Sequence, residues 1–248
     1  MSAWYQNDGF WETWARYMFP AALVENTGYE VDRAIELLQL QPGEHVLDAC
    51  CGMGRHLLEL CRRGYRVMGV DRTSSYLAAA RAQAEVEGLS IELIQQDVRE
   101  LDLLATFDGV INMYTSFGYF DDYNDDLRFA SNIRKLLKPG RRFLIETEGK
   151  EIMARKYRTR EWFWHDDGSI GLLQRTIRDG WEQMDTRWIL VRDGRVEWDS
   201  TISSRIYSAA ELSALLRAAG FAEVTVFGSL AATTYDQTAI ELVAVAST

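Results

Sequence analysis

Val46-Leu47-Asp48-Ala49-Cys50-Cys51-Gly52-Met53-Gly54-Arg55-His56 is the stretch whose reading decides the fold. An apolar run ends in an acid, and a glycine-containing turn then opens a helix. That order marks the ligand-binding corner of an open α/β sheet, at the carboxyl end of its first strand. A dinucleotide fingerprint requires G-x-G-x-x-G, whose third glycine lets helix and strand pack closely. Leu57 stands where that glycine belongs, and Asp48 would repel a pyrophosphate at the strand end. The turn therefore suits a ligand without phosphates there, such as a sulfonium cation bearing an ammonium group.

Working outward, Asn26 or Thr27 reads as the cap of a helix with the apolar stripe Val31, Ala34, Ile35 and Leu38. Pro42-Gly43 turns the chain into a strand from His45 to Ala49. A helix from about Arg55 to Arg63 stops at Gly64. A strand from Arg66 to Val70 ends at Asp71, and a helix from Tyr76 to Glu87 stops at Gly88. A strand from Ile91 to Gln95 precedes Asp97. Phe107 to Tyr114 is almost wholly apolar, as a central parallel strand covered on both faces is. A helix from about Asp125 to Leu137 and a strand from Arg142 to Thr147 follow. Strands alternating with helices predict a doubly wound parallel sheet.

The eight tryptophans all lie outside this core, at 4, 11, 14, 162, 164, 181, 188 and 198. Two aromatic additions therefore flank a regular α/β body. In the second, Thr186 to Val191 and Val196 to Ile202 surround Asp193-Gly194 and predict a hairpin. Ser208 and Glu211 form a capping box that opens a helix to Ala219, and strands at Val224–Phe227 and Ala239–Ala246 end the chain. The expected division is an N-terminal helical cover (1–40), a core (41–150 and 206–248) and a β-rich lid insertion (151–205).

The stretch 46–56 resembles motif I of the class I S-adenosylmethionine-dependent methyltransferases, D-x-G-x-G-x-G, with Cys50 in place of the first glycine. Asp71, 23 residues after Asp48, stands where an acid accepts hydrogen bonds from ribose hydroxyls. By resemblance, Asp97 accepts from the adenine amino group and Val98 offers its N–H, and Phe107–Tyr114 is similar to motif IV. The resemblance implies a Rossmann-like seven-stranded mixed sheet of order 3-2-1-4-5-7-6. The donor would be S-adenosyl-L-methionine and the product S-adenosyl-L-homocysteine. The donor site would comprise Asp48, Ala49, Cys50, Gly52, Gly54, Asp71, Arg72, Asp97, Val98, Met113 and Tyr114.

Met113-Tyr114-Thr115-Ser116-Phe117-Gly118-Tyr119 is not the Asn-Pro-Pro-Tyr signature of methyltransferases acting on nucleobase amines or glutamine. It resembles a stretch of small-molecule N-methyltransferases of antibiotic biosynthesis, of the deoxyamino-sugar or lincosamide type. That likeness implies an amine acceptor on a small molecule, a strand-rich lid and an N-terminal helix over the cofactor. Tyr17 and Phe117 are expected to line the methyl-transfer cavity, and His165 is the candidate base. An O-methyltransferase of the same fold and a non-catalytic S-adenosylmethionine-binding protein stay open as alternatives.

Composition excludes other classes. Net charge is −10 over 248 residues, which disfavours a nucleic-acid partner. The basic run Arg155–Arg160 therefore reads as a solvated helix face. No stretch approaches the ~18 consecutive apolar residues of a membrane span, and the N-terminus lacks the basic region of a secretory signal. Cys50, Cys51 and Cys61 form neither a disulfide framework nor a CxxC metal pair, so the setting expected is cytoplasmic, with no metal. The acids Asp121–Asp126 lack the glycine and glutamate of a calcium loop and read as a helix start. The aromatic surface leaves a homo-oligomer open.

Overall fold

The computed structural model describes residues 3–248. Its organising strand, β1 (His45–Ala49), is buried at every position, as a parallel strand covered on both faces must be. β1 pairs in parallel with β2 (Arg66–Asp71) and β4 (Phe107–Asn112). β3 (Glu92–Gln95) and β5 (Leu137–Thr147) extend the parallel ladder on either side. β11 (Leu242–Ser247) runs antiparallel to β5, and β10 (Glu223–Phe227) closes the edge. The order β3-β2-β1-β4-β5-β11-β10 is the one the resemblance implies.

Helices cover both faces. α2 (Ala21–Leu38) and α3 (Arg55–Arg62) bury Val31, Leu38, Leu57 and Leu60 against Val46, Ile111 and Leu144. α5 (Tyr123–Leu136) and α7 (Ala209–Ala218) bury Phe129, Ile133, Leu212 and Leu215 against Leu47, Val110 and Phe143. α4 (Ser74–Glu87) packs beside β2 and β3. α2 starts earlier than expected, because Pro20 occupies its N-cap. Asn26 and Thr27 lie inside the helix, and Thr27 instead accepts a hydrogen bond from Arg55 at 3.1 Å. No described helix is long and apolar enough to cross a membrane.

The insertion is a four-stranded antiparallel sheet rather than one hairpin: β6 (Arg160–Trp164), β7 (Ile170–Arg178), β8 (Gln183–Arg192) and β9 (Arg195–Arg205). The expected hairpin is its β8–β9 half. Asp193 and Gly194 both have positive φ (49° and 70°), the signature of a type I′ turn. The basic run is no single helix face: α6 (Lys150–Lys156) ends within it and Arg160 already opens β6. α1 (Asp8–Met18) buries Phe10 and Trp14 against Leu190 of β8, with Trp4, Trp188 and Trp198 around them. The two aromatic additions thus pack on each other, above the carboxyl ends of the parallel strands.

Candidate active site

A cavity of about 440 Å³ opens at the carboxyl edge of β1, β2 and β4. Its floor is the turn after β1. Cys50 holds φ at +65° and Gly52 at +55°. The conformation that the missing glycine serves elsewhere is therefore kept here by a cysteine, at the ~1–2 kcal/mol cost of a left-handed side chain. Gly54 (φ +81°) caps α3, and a Cβ there would lie 2.9 Å from Ala80 Cβ. That contact and the positive φ both require the glycine.

Asp71 at the end of β2 fixes the turn. Its Oδ2 accepts the N–H of Gly52 and its Oδ1 that of Thr73, each at 2.8 Å. Burial raises its proton affinity, while these two N–H groups counter the rise. Asp97 is drawn the other way. Burial opposes its ionisation, but Arg99 binds both oxygens (3.0 and 2.7 Å) and the Arg99 N–H adds a third bond, so the carboxyl is held below the usual range. Asp48 is almost wholly enclosed, and burial pushes it up to about 7. Its Oδ2 finds no partner among the described residues. Beside the turn, Glu30 accepts from Arg55 and meets His56 Nε2 at 2.8 Å. Despite burial, these bonds hold Glu30 down at about 2, while burial lowers His56.

Of the donor-site residues expected from sequence, Asp48, Cys50, Gly52, Asp71, Arg72, Asp97, Val98, Met113 and Tyr114 all line this cavity. Ala49 and Gly54 do not. The Ala49 carbonyl accepts from Asn112 Nδ2 at 2.8 Å behind the turn. Phe117 lines the cavity but is only 3 % exposed, stacked on Phe129 with ring centroids 5.5 Å apart. Tyr17 and His165 require correction: neither lines the cavity. α1 turns the face carrying Tyr17 toward the β6–β7 turn. There its ring lies 3.8 Å from that of His165, it donates to Asp167 at 3.0 Å and it accepts from Arg192 at 2.9 Å.

Further residues line the cavity. Tyr5, Trp11, Tyr76 and Tyr119 roof the donor end. Arg72 donates to Tyr5 O at 2.9 Å and Tyr76 to Trp11 O at 2.8 Å, which ties the N-terminal segment down. Trp4 donates Nε1 to Ser203 O of β9 at 2.6 Å. On the far side stand Thr186, Trp188, Ser204, Tyr207 and Glu148. Strand alternation could have shown which face of β8 and β9 turns inward, but only once the register of the sheet was known.

The residues fit S-adenosylmethionine at the donor end. An acid aligned by two backbone N–H groups retains lone pairs for a ribose diol. Asp48 brings a buried carboxyl oxygen without a partner among the described residues to the same cavity, a group a cation could satisfy. Val98, first in a short 3₁₀ turn, has an N–H without a partner among the described residues.

Residues 46–140 match the family model described as a methyltransferase domain. A Geobacillus sp. (strain WCH70) protein that carries a provisional methyltransferase name is 32% identical over 108 residues, 44% of this chain and 44% of that protein. The chain thus spans less than half the length of this curated relative. Among solved structures, it resembles the CcbJ methyltransferase of Streptomyces caelestis (TM-score 0.79, 17% identity, 90% of this chain and 89% of that one). It also resembles CalS10, an amino pentose methyltransferase of Micromonospora echinaspora with S-adenosylmethionine bound (TM-score 0.69, 19% identity, 96% and 97%). At these identities the structural likeness is one of fold. That fold includes the antiparallel insertion, because nearly the whole chain is covered.

Proposed function

We propose that the protein is an S-adenosylmethionine-dependent methyltransferase that methylates an amine of a small molecule. The observation that carries the reading is the Asp71–Gly52 hydrogen bond beside the open end of β1, within a methyltransferase domain. S-adenosylmethionine supplies a methyl carbon made electrophilic by its sulfonium. The chain's own residues do the rest. Asp71 binds the ribose hydroxyls, Asp97 and Val98 hold the adenine edge, and Arg55 faces the carboxylate of the amino-acid tail. Tyr5, Trp11 and Tyr119 exclude water, so attack is favoured by alignment and a dry cavity. The amine acceptor is supported by the segment Met113–Tyr119 and by the named role of CalS10 on an amino pentose.

The test is calorimetric binding of S-adenosylhomocysteine, followed by turnover on a panel of amino sugars, cyclic secondary amines, phenols and carboxylates. Binding with turnover on amines alone is expected. Turnover confined to phenols or carboxylates would replace the reading with O-methylation. Donor binding without turnover on any acceptor would favour a non-catalytic binding protein.

A further inference from the structure

The charged groups around the cavity are unequally paired. Each arginine that lines it already has a carboxylate: Arg55 has Glu30, Arg72 has Asp8 (3.1 Å), Arg175 has Glu161 (2.9 Å) and Arg205 has Glu182 (3.2 Å). Asp71 is engaged by Gly52 and Thr73, Asp97 by Arg99, and Asp48, almost wholly buried with its Oδ2 unpaired among the described residues, belongs to the donor turn. Glu148 differs from all of these. It lines the cavity, is half-buried, and makes no hydrogen bond or ion pair with a described residue.

Its place in the fold puts it on the acceptor side. Glu148 directly follows β5, one strand beyond β4 from the donor turn. The next segment is tied to the far wall, because Lys150 N–H donates to Tyr207 O at 2.8 Å. The same side of the cavity carries Trp188, Tyr207, Thr186, Ser204 and Met153, and its two arginines, Arg175 and Arg205, are held by Glu161 and Glu182. A carboxylate there without a protein partner is free to pair with a cation. Aromatic faces attract the same cation.

We propose that Glu148 selects the acceptor by pairing with its protonated amine, which gives one proton to the Glu148 carboxylate before its lone pair attacks the methyl carbon and the C–S bond breaks, so that the substrate class is a cationic amine on a compact, largely apolar frame. This rests on the amine-methylation reading above. It assigns the acceptor's charge to one side chain, and it excludes anionic acceptors from that end of the cavity.

The experiment uses the whole chain and two probes of one shape: N,N-dimethylcyclohexylammonium and the neutral cyclohexyldimethylcarbinol. Binding is followed by tryptophan fluorescence, with and without saturating S-adenosylhomocysteine, in the wild type and in Glu148→Gln. The ammonium probe is expected to bind roughly ten- to a hundredfold more tightly than the carbinol, and Glu148→Gln to erase that difference. Unaltered S-adenosylhomocysteine affinity in the variant verifies its fold. Equal binding of the two probes, binding of neither, or a preference that persists in Glu148→Gln overturns the inference. The wild-type comparison decides this even if the variant does not fold. If S-adenosylhomocysteine fails to bind while the ammonium preference holds, the donor reading fails and the cation site stands.

Discussion

Tyr207 donates its hydroxyl to Asp126 Oδ2 across 2.6 Å, to a carboxyl wholly withdrawn from solvent. Asp126 lies in the first turn of α5 and Tyr207 just ahead of α7, with Phe117 packed against the Tyr207 ring at 5.7 Å. The acceptor-side wall therefore stands on a buried acid. Burial pushes Asp126 up to about 7, against the opposing pull of the Tyr207 bond and the Arg205 charge.

A pH prediction follows from that shift. The carboxyl is raised above the 3.8 of an unperturbed aspartate, so between that value and about 7 the folded chain keeps a proton that the unfolded chain releases. Stability from this group is present below the window and falls as pH rises through it. Histidines lowered by burial, His45 and His56, pull the other way below their ordinary 6.5, so the total curve alone is uninformative. The comparison that isolates Asp126 is wild type against Asp126→Asn. Wild type is expected to lose denaturant stability relative to the variant as pH is raised from ~4 to ~7. Parallel curves would show that Asp126 does not titrate in this window.

Asp71 joins β2 to the turn after β1, and its replacement separates binding from folding. Asp71→Asn keeps one carbonyl oxygen for an N–H but loses the charge, whereas Asp71→Ala loses both. Affinity for S-adenosylhomocysteine is expected to weaken by ~1–3 kcal/mol in Asp71→Ala and by less in Asp71→Asn. Calorimetry checks this, and equal affinities in all three proteins would remove Asp71 from the donor site.

The floor of the cavity was legible because Asp48, Asp71 and Asp97 stand at the ends of apolar runs, where strand, acid and turn follow one another in sequence. Asp48, Asp71 and Asp97 could be placed without knowing any long-range contact. The acceptor half could not. Thr186 and Ser204 face the cavity only because β8 and β9 pair in one register, Met184 opposite Ser204. β6 and β7 were missed for a related reason: Arg160 to Trp164 is two charged residues followed by three aromatics on an exposed edge, with Trp162 and Trp164 more than 60 % exposed. That pattern does not announce a buried face. Tyr17 and His165 misled because an aromatic near the N-terminus and a lone histidine carry no information about which way α1 turns them.

Gly118 is where the loop after β4 meets the end of β9. Its φ is +95°, Arg205 N–H donates to its carbonyl at 2.7 Å, and a Cβ would collide with the Arg205 carbonyl oxygen. Backbone cannot yield there as a flexible side chain would. Gly118→Ala is expected to cost about 2–3 kcal/mol in chemical denaturation. A loss under ~0.5 kcal/mol, the scale of an ordinary surface substitution, would show that the loop re-forms without this contact.

The first turn of the N-terminal cover is held to the insertion by the hydrogen bond from Trp4 Nε1 to Ser203 O, while the Trp4 ring packs on Tyr119 with centroids 4.9 Å apart. Trp4→Phe keeps an aromatic ring and deletes the donor, so it tests the bond and not the packing. The Ser203 carbonyl is left without that partner, and the local cost is expected to be about 1 kcal/mol. Because Tyr5 and Trp11 roof the donor end through neighbouring contacts, this loss is local opening of the cover before it is global unfolding. Amide hydrogen exchange is expected to quicken about fivefold across α1 in the variant, as ~1 kcal/mol of opening free energy implies, with the β1 amides unchanged. Saturation with S-adenosylhomocysteine should slow α1 exchange in both proteins, since a ligand that binds only under the closed cover stabilises it. Exchange in α1 that ignores both the substitution and the ligand would mean that the cover is not held by Trp4 and does not close over the donor.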